Sequence, residues 1–208
     1  AKGARRTESK FGSALDLLNL NEFVYYNSEG LKMLSQVSLI DPLWELKSDY
    51  DRLDTSLQTA GWLYRLLEDD HIERSIFKLF QDYLVVLSSV NEFFERYDLS
   101  LRLKVLTAMG LAPKLDLCML CGQDPDRSWF SLSKGGIVCE DCHQASDADE
   151  RPIQMGTAKG LLMLLKFPFE KLDRLSVSQE LVRFGNRLMD EFTSHHLKPY
   201  TGQRKRSP

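Results

Sequence analysis

The stretches LDLCMLCG (Leu115–Gly122) and GGIVCEDC (Gly135–Cys142) decide how this chain is read. They hold all four of its cysteines, Cys118, Cys121, Cys139 and Cys142, spaced C-x2-C-x17-C-x2-C. A two-residue spacing lets one tight turn aim two thiolates at a single ion. Two such turns supply the four sulfurs of a tetrahedral zinc site. Gly122 follows the first pair, where positive φ lets backbone N–H groups turn toward sulfur. Between the pairs, Trp129-Phe130-Ser131-Leu132 reads as a strand, Ser133–Gly136 as a turn and Ile137-Val138 as the return strand. This is the layout of a zinc ribbon spanning residues 115–145. Two disulfides would need an oxidising compartment. Iron in the same four sulfurs would colour the protein. Four thiolates close the shell, so the site speaks for folding rather than metal catalysis. Stripping the metal is expected to unfold residues 115–145. His143, beside Cys142, reads as a bystander to a shell already full.

Outward from this module the pattern is helical. Leu53, Leu57, Ala60, Tyr64 and Leu67 recur by four and three, which puts them on one helix face. Ile76, Phe80, Tyr83, Leu87, Val90 and Phe94 do the same. A third helix is expected through Leu99, Leu103 and Leu106, ending at Gly110 before Pro113. After the module, residues 146–155 read as a polar linker. Thr157 is the expected N-cap of a helix that stops before Pro168. A last helix covers about Ser178–Ser194, with Leu181, Phe184, Leu188 and Phe192 inward. Ahead of the helices, Asn19–Tyr26 and Leu31–Ile40 flank Asn27–Gly30 as a β-hairpin, and Asp41-Pro42 ends it. The fold class expected is α+β, mostly α.

Hydrophobic residues make up 43% and charged residues 27%, which argues against global disorder. No apolar run reaches the roughly 18 residues of a membrane span. The net charge of −3 hides an asymmetry. Lys2, Arg5, Arg6 and Lys10 against Glu8 give residues 1–12 a charge of +3, and residues 195–208 carry +4. The remainder therefore carries −10. Basic ends on an acidic body point to polyanion contact at the ends. Cations with Phe11 close by suit single-stranded nucleic acid. The opening AKGARRTESK, without an initiator Met, reads as the inside of a longer protein.

No Walker loop, GxSxG or HExxH motif occurs. His195 and His196 are adjacent on a helix and diverge by about 100°, so they do not converge on one ion and read as helix C-terminal charges or exposed polar residues. The acidic clusters Asp69-Asp70, Asp124/Asp126 and Asp147/Asp149/Glu150 read as solvated loops. No nucleophile, base and orienter assemble, so the chain is not read as an enzyme.

KGARR (Lys2–Arg6), FGSAL (Phe11–Leu15), Leu20–Tyr26 and GLKMLSQVSLI (Gly30–Ile40), followed by the two cysteine stretches in this order, resemble the RecO family of bacterial recombination mediators. The resemblance covers essentially the whole chain. It implies a partial OB-fold over residues 1–42, then a helical domain over 43–208 with the zinc module inserted; the Gly/Arg/Lys-rich composition of residues 199–208 reads as a disordered tail. About two barrel strands would precede KGARR, so a chain starting here leaves an OB barrel open. The resemblance further implies binding of single- and double-stranded DNA, strand annealing, and action with RecR, in many bacteria RecF, to displace single-strand binding protein and load RecA. It places Lys2, Arg5, Arg6 and Lys10 on the DNA-facing side and the four cysteines as zinc ligands. A cytoplasmic, nucleoid-associated protein follows from it. A different class stays open: a zinc-ribbon adaptor whose helical body binds a protein and never nucleic acid.

Overall fold

The structure is a computed structural model describing residues 11–28, 31–67, 73–144 and 146–197. The chain is α+β and mostly helical, and it divides into two compact units, Ala1–Leu57 and Gln58–Pro208.

In the first unit the expected hairpin forms. Strand β1 (Leu20–Ser28) pairs antiparallel with β2 (Leu31–Asp41), with Phe23 opposite Val37 and Tyr26 opposite Met33. The register slips between Leu20 and Asn21 and again between Val24 and Tyr25, each time with an extra residue on β2. Such bulges increase the local twist. Phe23, Val24, Tyr25 and Tyr26 are all exposed, so successive side chains show apolar groups on both faces of this two-stranded sheet. Asn19 and Asn21 tie the hairpin to a preceding turn by donating to the carbonyls of Ser13 and Ala14. A short helix α1 (Trp44–Lys47) follows, and then α2 (Tyr50–Leu66), the element in which the division between the units falls. Among the described residues of this unit the strands are β1 and β2; the KGARR stretch expected beside them lies outside those residues.

In the second unit, helix α4 (Phe94–Ala108) is the centre, packed against α3 (Arg74–Leu87), α5 (Met155–Lys166) and α6 (Gln179–His196). Leu99, Leu103 and Leu106 are buried as expected, but so are Tyr97, Leu101 and Val105. A helix surrounded on all sides buries more than a single stripe. Its polar groups are therefore satisfied inside. Asp98 accepts from Thr59 Oγ1 (2.6 Å) and from Arg102 Nε (2.7 Å), and Arg102 also pairs with Asp190. Lys104 Nζ donates to the carbonyls of Leu164, Leu165 and Phe167, each at 2.8 Å, and so closes the last turn of α5. Burial pushes the Lys104 amine down to about 8, with Glu170 partly offsetting it. Gly185 on α6 lets α4 and α5 close in: an added Cβ would stand 2.6 Å from Leu99 Cδ2 and 2.7 Å from Leu161 Cδ2.

Three expectations are corrected. The stripe through Ile76 does not continue to Phe94. Helix α3 ends at Leu87, the chain turns, and Phe93 takes a left-handed conformation (φ 58°) just before α4. Thr157 is not an N-cap, because α5 already begins at Met155 after Gln154. Residues 146–155 are not a linker. Glu150–Ile153 is a strand, β5, paired antiparallel with β3 (Ser128–Ser131), which also pairs with β4 (Gly136–Cys139). The ribbon is thus a three-stranded sheet of order β4-β3-β5. By contrast α6 starts as expected: Ser178 Oγ accepts from the Leu181 N–H at 3.1 Å.

Candidate metal centre

The first cysteine knuckle is built from backbone hydrogen bonds. The Cys118 N–H donates to the Gln123 carbonyl, and the Gly122 N–H donates to the Cys118 carbonyl, both at 2.9 Å. Gly122 has the positive φ (73°) foreseen from its place after the pair. The segment leading into the knuckle docks on the ribbon. Lys114 N–H donates to the Gly135 carbonyl, Ile137 N–H to the Lys114 carbonyl, and Met119 N–H to the Ile137 carbonyl. Gly136 permits this approach: a Cβ there would meet the Lys114 carbonyl oxygen at 2.9 Å and Met119 Cγ at 2.6 Å. The second knuckle turns on the Cys139 carbonyl, which accepts from Cys142 and His143.

These turns bring the sulfurs of Cys118, Cys121, Cys139 and Cys142 within 4.8 Å of one another. Cys121 and Cys139 sulfurs are 3.6 Å apart. The edge of a tetrahedron with metal–sulfur bonds of about 2.3 Å is close to that distance. Leu120 and Cys139 N–H groups both donate to Cys118 Sγ at 3.4 Å, the amide contacts that a metal-bound thiolate accepts. Burial works against ionising Cys118, but these N–H groups and that of Cys121 outweigh it and bring its thiol down to about 6. The opposite holds for Cys142, pushed up to about 12, first by its hydrogen bond to Cys139 and then by burial and the other sulfurs. For Cys121 the Gln123 N–H pulls down, while the Cys118 thiol, burial and Cys139 push up to a net rise. Four thiolates this close repel one another, and a divalent cation is what would favour all four at once. The donor set therefore fits a soft, tetrahedral ion.

Around the four sulfurs His143 stands outside the cluster as expected, while Glu150 and His196 depart from the sequence expectation. The His143 ring is not among the four clustered ligands. It stacks on Trp129 at 4.0 Å with the planes 3° apart, and its Nδ1 pairs with Glu150. The Glu150 carboxylate, expected in a solvated loop, has a side chain only 2% exposed, and Lys134 lies 3.6 Å from it. Strand β5 carries it inside. Helix α6 backs the sheet. Phe192 meets Phe130 edge-on at 5.7 Å, Arg151 Nε donates to Glu191 at 2.7 Å, and His196 Nε2 lies 2.6 Å from the Leu132 carbonyl. His196 is thus a packing residue rather than an exposed terminal charge.

The charge on this module is acidic: residues 116–150 carry eight acids against Arg127 and Lys134, a net of −6. The other sequence candidates, Lys2, Arg5, Arg6 and Lys10, lie outside the described residues.

A second concave site has no signal in the sequence. A cavity of about 380 Å³ opens between the start of α4 and one face of α6, with Phe93, Val177 and Val182 as apolar wall and three cations, Arg96, Arg183 and Arg187, against one acid, Glu95. Arg96 Nη1 donates to the Leu172 carbonyl at 2.8 Å, and its guanidinium lies 5.5 Å from the Phe93 ring centre. Arg96 Nε and Asn186 Oδ1 are buried there with no hydrogen-bond partner among the described residues. Arg183 and Arg187 sit one turn apart on α6, but Phe93 and Arg96 come from some 90 residues earlier, so no local pattern announces the pocket.

Both sites lie within a stretch of the chain that matches a known family. The profile described as "Recombination protein O C terminal" matches residues 59–205, and "Recombination protein O N terminal" matches residues 1–43. A protein of Caldanaerobacter subterraneus subsp. tengcongensis named DNA repair protein RecO is 28% identical over 95% of this chain and 80% of its own length. One of the same name from Desulfatibacillum aliphaticivorans is 29% identical over 95% of this chain and 79% of its own. Another, from Rubrobacter xylanophilus, is 31% identical over 81% of this chain and 68% of its own.

Proposed function

The chain belongs to the recombination protein O family of DNA repair proteins, and on that premise we propose that it is a DNA-binding recombination mediator. It binds single- and double-stranded DNA, anneals complementary strands, and works with RecR, and RecF where present, to help RecA load onto DNA coated by single-strand binding protein. The observation that carries this reading is the match of both family profiles, in order, along nearly the whole chain. In this reading residues 1–42 are a partial OB-fold, and Lys2, Arg5, Arg6 and Lys10 contact phosphate. The exposed rings of Phe23 and Tyr26 are of the kind on which unpaired bases stack. Residues 43–208 are the helical domain, and Cys118, Cys121, Cys139 and Cys142 hold one zinc ion. Zinc supplies folding energy there and no chemistry on DNA, so the protein is not an enzyme. Its place of work is the cytoplasm, at the nucleoid. No helix among the described residues is long and apolar enough to cross a membrane.

The test is annealing of complementary oligonucleotides coated with single-strand binding protein, with and without RecR. Annealing is expected to rise with RecR. Affinity for bare oligonucleotide should fall steeply with salt, and Arg5→Glu with Arg6→Glu should flatten that dependence by about one unit of slope for each phosphate no longer neutralised. Salt-independent binding, or an unchanged slope in the double variant, would count against the reading.

The pocket beside α4 supports the partner assignment. An acidic peptide with apolar side chains, the chemistry expected of the tail of single-strand binding protein, meets cations at Arg96, Arg183 and Arg187 and an apolar wall at Phe93 and Val182. Arg187→Glu is expected to weaken a fluorescent peptide of that tail by at least about tenfold, a charge-pair effect at a partly desolvated site, and to leave oligonucleotide binding unchanged. The ribbon's charge of −6 favours one alternative, a protein-binding adaptor that never touches DNA; absence of any oligonucleotide binding at low salt would select it.

A further inference from the structure

The four cysteines are not equivalent. Cys118 and Cys139 are buried, Cys142 is half-buried, and Cys121 is exposed. Every residue from Met119 to Asp124 is exposed as well, so the first knuckle stands in solvent. The sulfur of Cys121 lies 3.6 Å from that of Cys139, in the other knuckle. Behind them the sheet is held by contacts that involve no cysteine sulfur. Strand β3 is paired on both sides, Ser128 Oγ donates to the Ile153 carbonyl at 2.9 Å, and Phe130 is fully buried against Phe192 of α6. A zinc module with little core of its own collapses when its metal leaves. This one is backed by a helix and a third strand, so the knuckles can lose their ion while the scaffold that would rebuild them persists.

We infer that the site is a reversible peroxide-sensitive switch in which Cys121 is oxidised first and Cys139 resolves it. This rests on the zinc reading above. The Cys121 thiolate attacks one oxygen of hydrogen peroxide, the O–O bond breaks, and a sulfenic acid forms while the departing hydroxide takes a proton to become water. The Cys139 thiolate then attacks the Cys121 sulfur, an S–S bond forms, and the hydroxide that leaves is protonated to a second water. Two thiolates lose two electrons in total, and one peroxide with two protons becomes two waters. Cys118 and Cys142 remain as two ligands, too few to hold zinc against solvent. The new bond joins the knuckles across the gap the ion bridged. Exchange with an added dithiol reverses the step and restores four thiolates.

Zinc content of the reduced full chain is measured first. One zinc per chain is expected; a value near zero in folded protein overturns the zinc reading and this inference with it. Hydrogen peroxide is then added with a chromogenic zinc chelator, and free thiols are mapped by differential alkylation. The expected result is zinc release in step with loss of alkylation at Cys121 and Cys139, an unchanged far-ultraviolet circular dichroism spectrum, and full recovery with dithiothreitol and zinc. Cys121→His keeps a metal-ligating atom and removes the reactive sulfur, so it should still bind zinc and release it at least about tenfold more slowly under peroxide. The inference is overturned, with zinc present, by release that leaves Cys121 alkylatable, by Cys121→His releasing as fast as the parent, or by irreversible aggregation on oxidation.

Discussion

Removal of the zinc proposed for the four cysteines is expected to raise hydrogen exchange more than a hundredfold, about 3 kcal/mol of lost protection, at residues 116–124 and 140–144, while β3 and β5 stay protected. The cysteine pattern read alone predicts something broader, the unfolding of all of residues 115–145. The difference lies in what holds the middle of the module. Trp129 and Phe130 are in a strand bonded on both sides, and Phe130 is buried on α6. The knuckles have less support: the Met119 N–H on the Ile137 carbonyl at the first, and His143, stacked on Trp129 and paired with Glu150, at the second. The first is closed by a few backbone hydrogen bonds around Cys118 and Gly122 and shows Leu117 and Leu120 to solvent. Cys118→Ser should reproduce the effect without a chelator, because it removes both a ligand and the sulfur on which the Leu120 and Cys139 N–H groups converge. Equal exchange of β3 and the knuckles in the zinc-free protein would mean that α6 does not support the sheet.

Replacement of Asp98 by Ala is expected to cost about 3 kcal/mol of stability, read as a lower urea midpoint at unchanged slope. Asp98 lies on the central helix, where it accepts from Thr59 and Arg102. The Arg102 side chain is 15% exposed, with Asp190 as its other carboxylate partner and the Trp62 ring 5.2 Å from its guanidinium. Thr59 also contacts the hydroxyl of fully buried Tyr83 at 3.4 Å. Alanine strands the Arg102 Nε inside the unit and takes the carboxylate acceptor from the Thr59 hydroxyl, and an unmet buried donor costs more than the bond itself contributes. Asparagine keeps an acceptor of the same shape, so Asp98→Asn should lose less than half as much. If the two variants fall together, charge alone holds the carboxylate in place and the directions of its hydrogen bonds are irrelevant.

How far the sequence could be read depended on the distance between partners. The hairpin, the third helix and the capped start of α6 follow from alternation, from three-and-four spacing and from Ser178, all set within a dozen residues. The break at Phe93 was hidden because Val90 and Phe94 happen to extend the spacing of α3. Strand β5 was hidden because ERPI has no alternation of its own. It becomes a strand by pairing with β3, and only then is Glu150 taken inside to meet His143 and Lys134.

The cysteines mark the same boundary. Their spacing, a property of the chain alone, determined that four sulfurs could meet, because a two-residue separation is enough to build each knuckle. Which of those sulfurs face solvent, what backs the sheet between them, and where Arg96 and Arg187 enclose a pocket were decided by tertiary structure. Those features depend on α6 lying against the ribbon and α4, and burial between segments 60 to 90 residues apart leaves no periodic trace in either one.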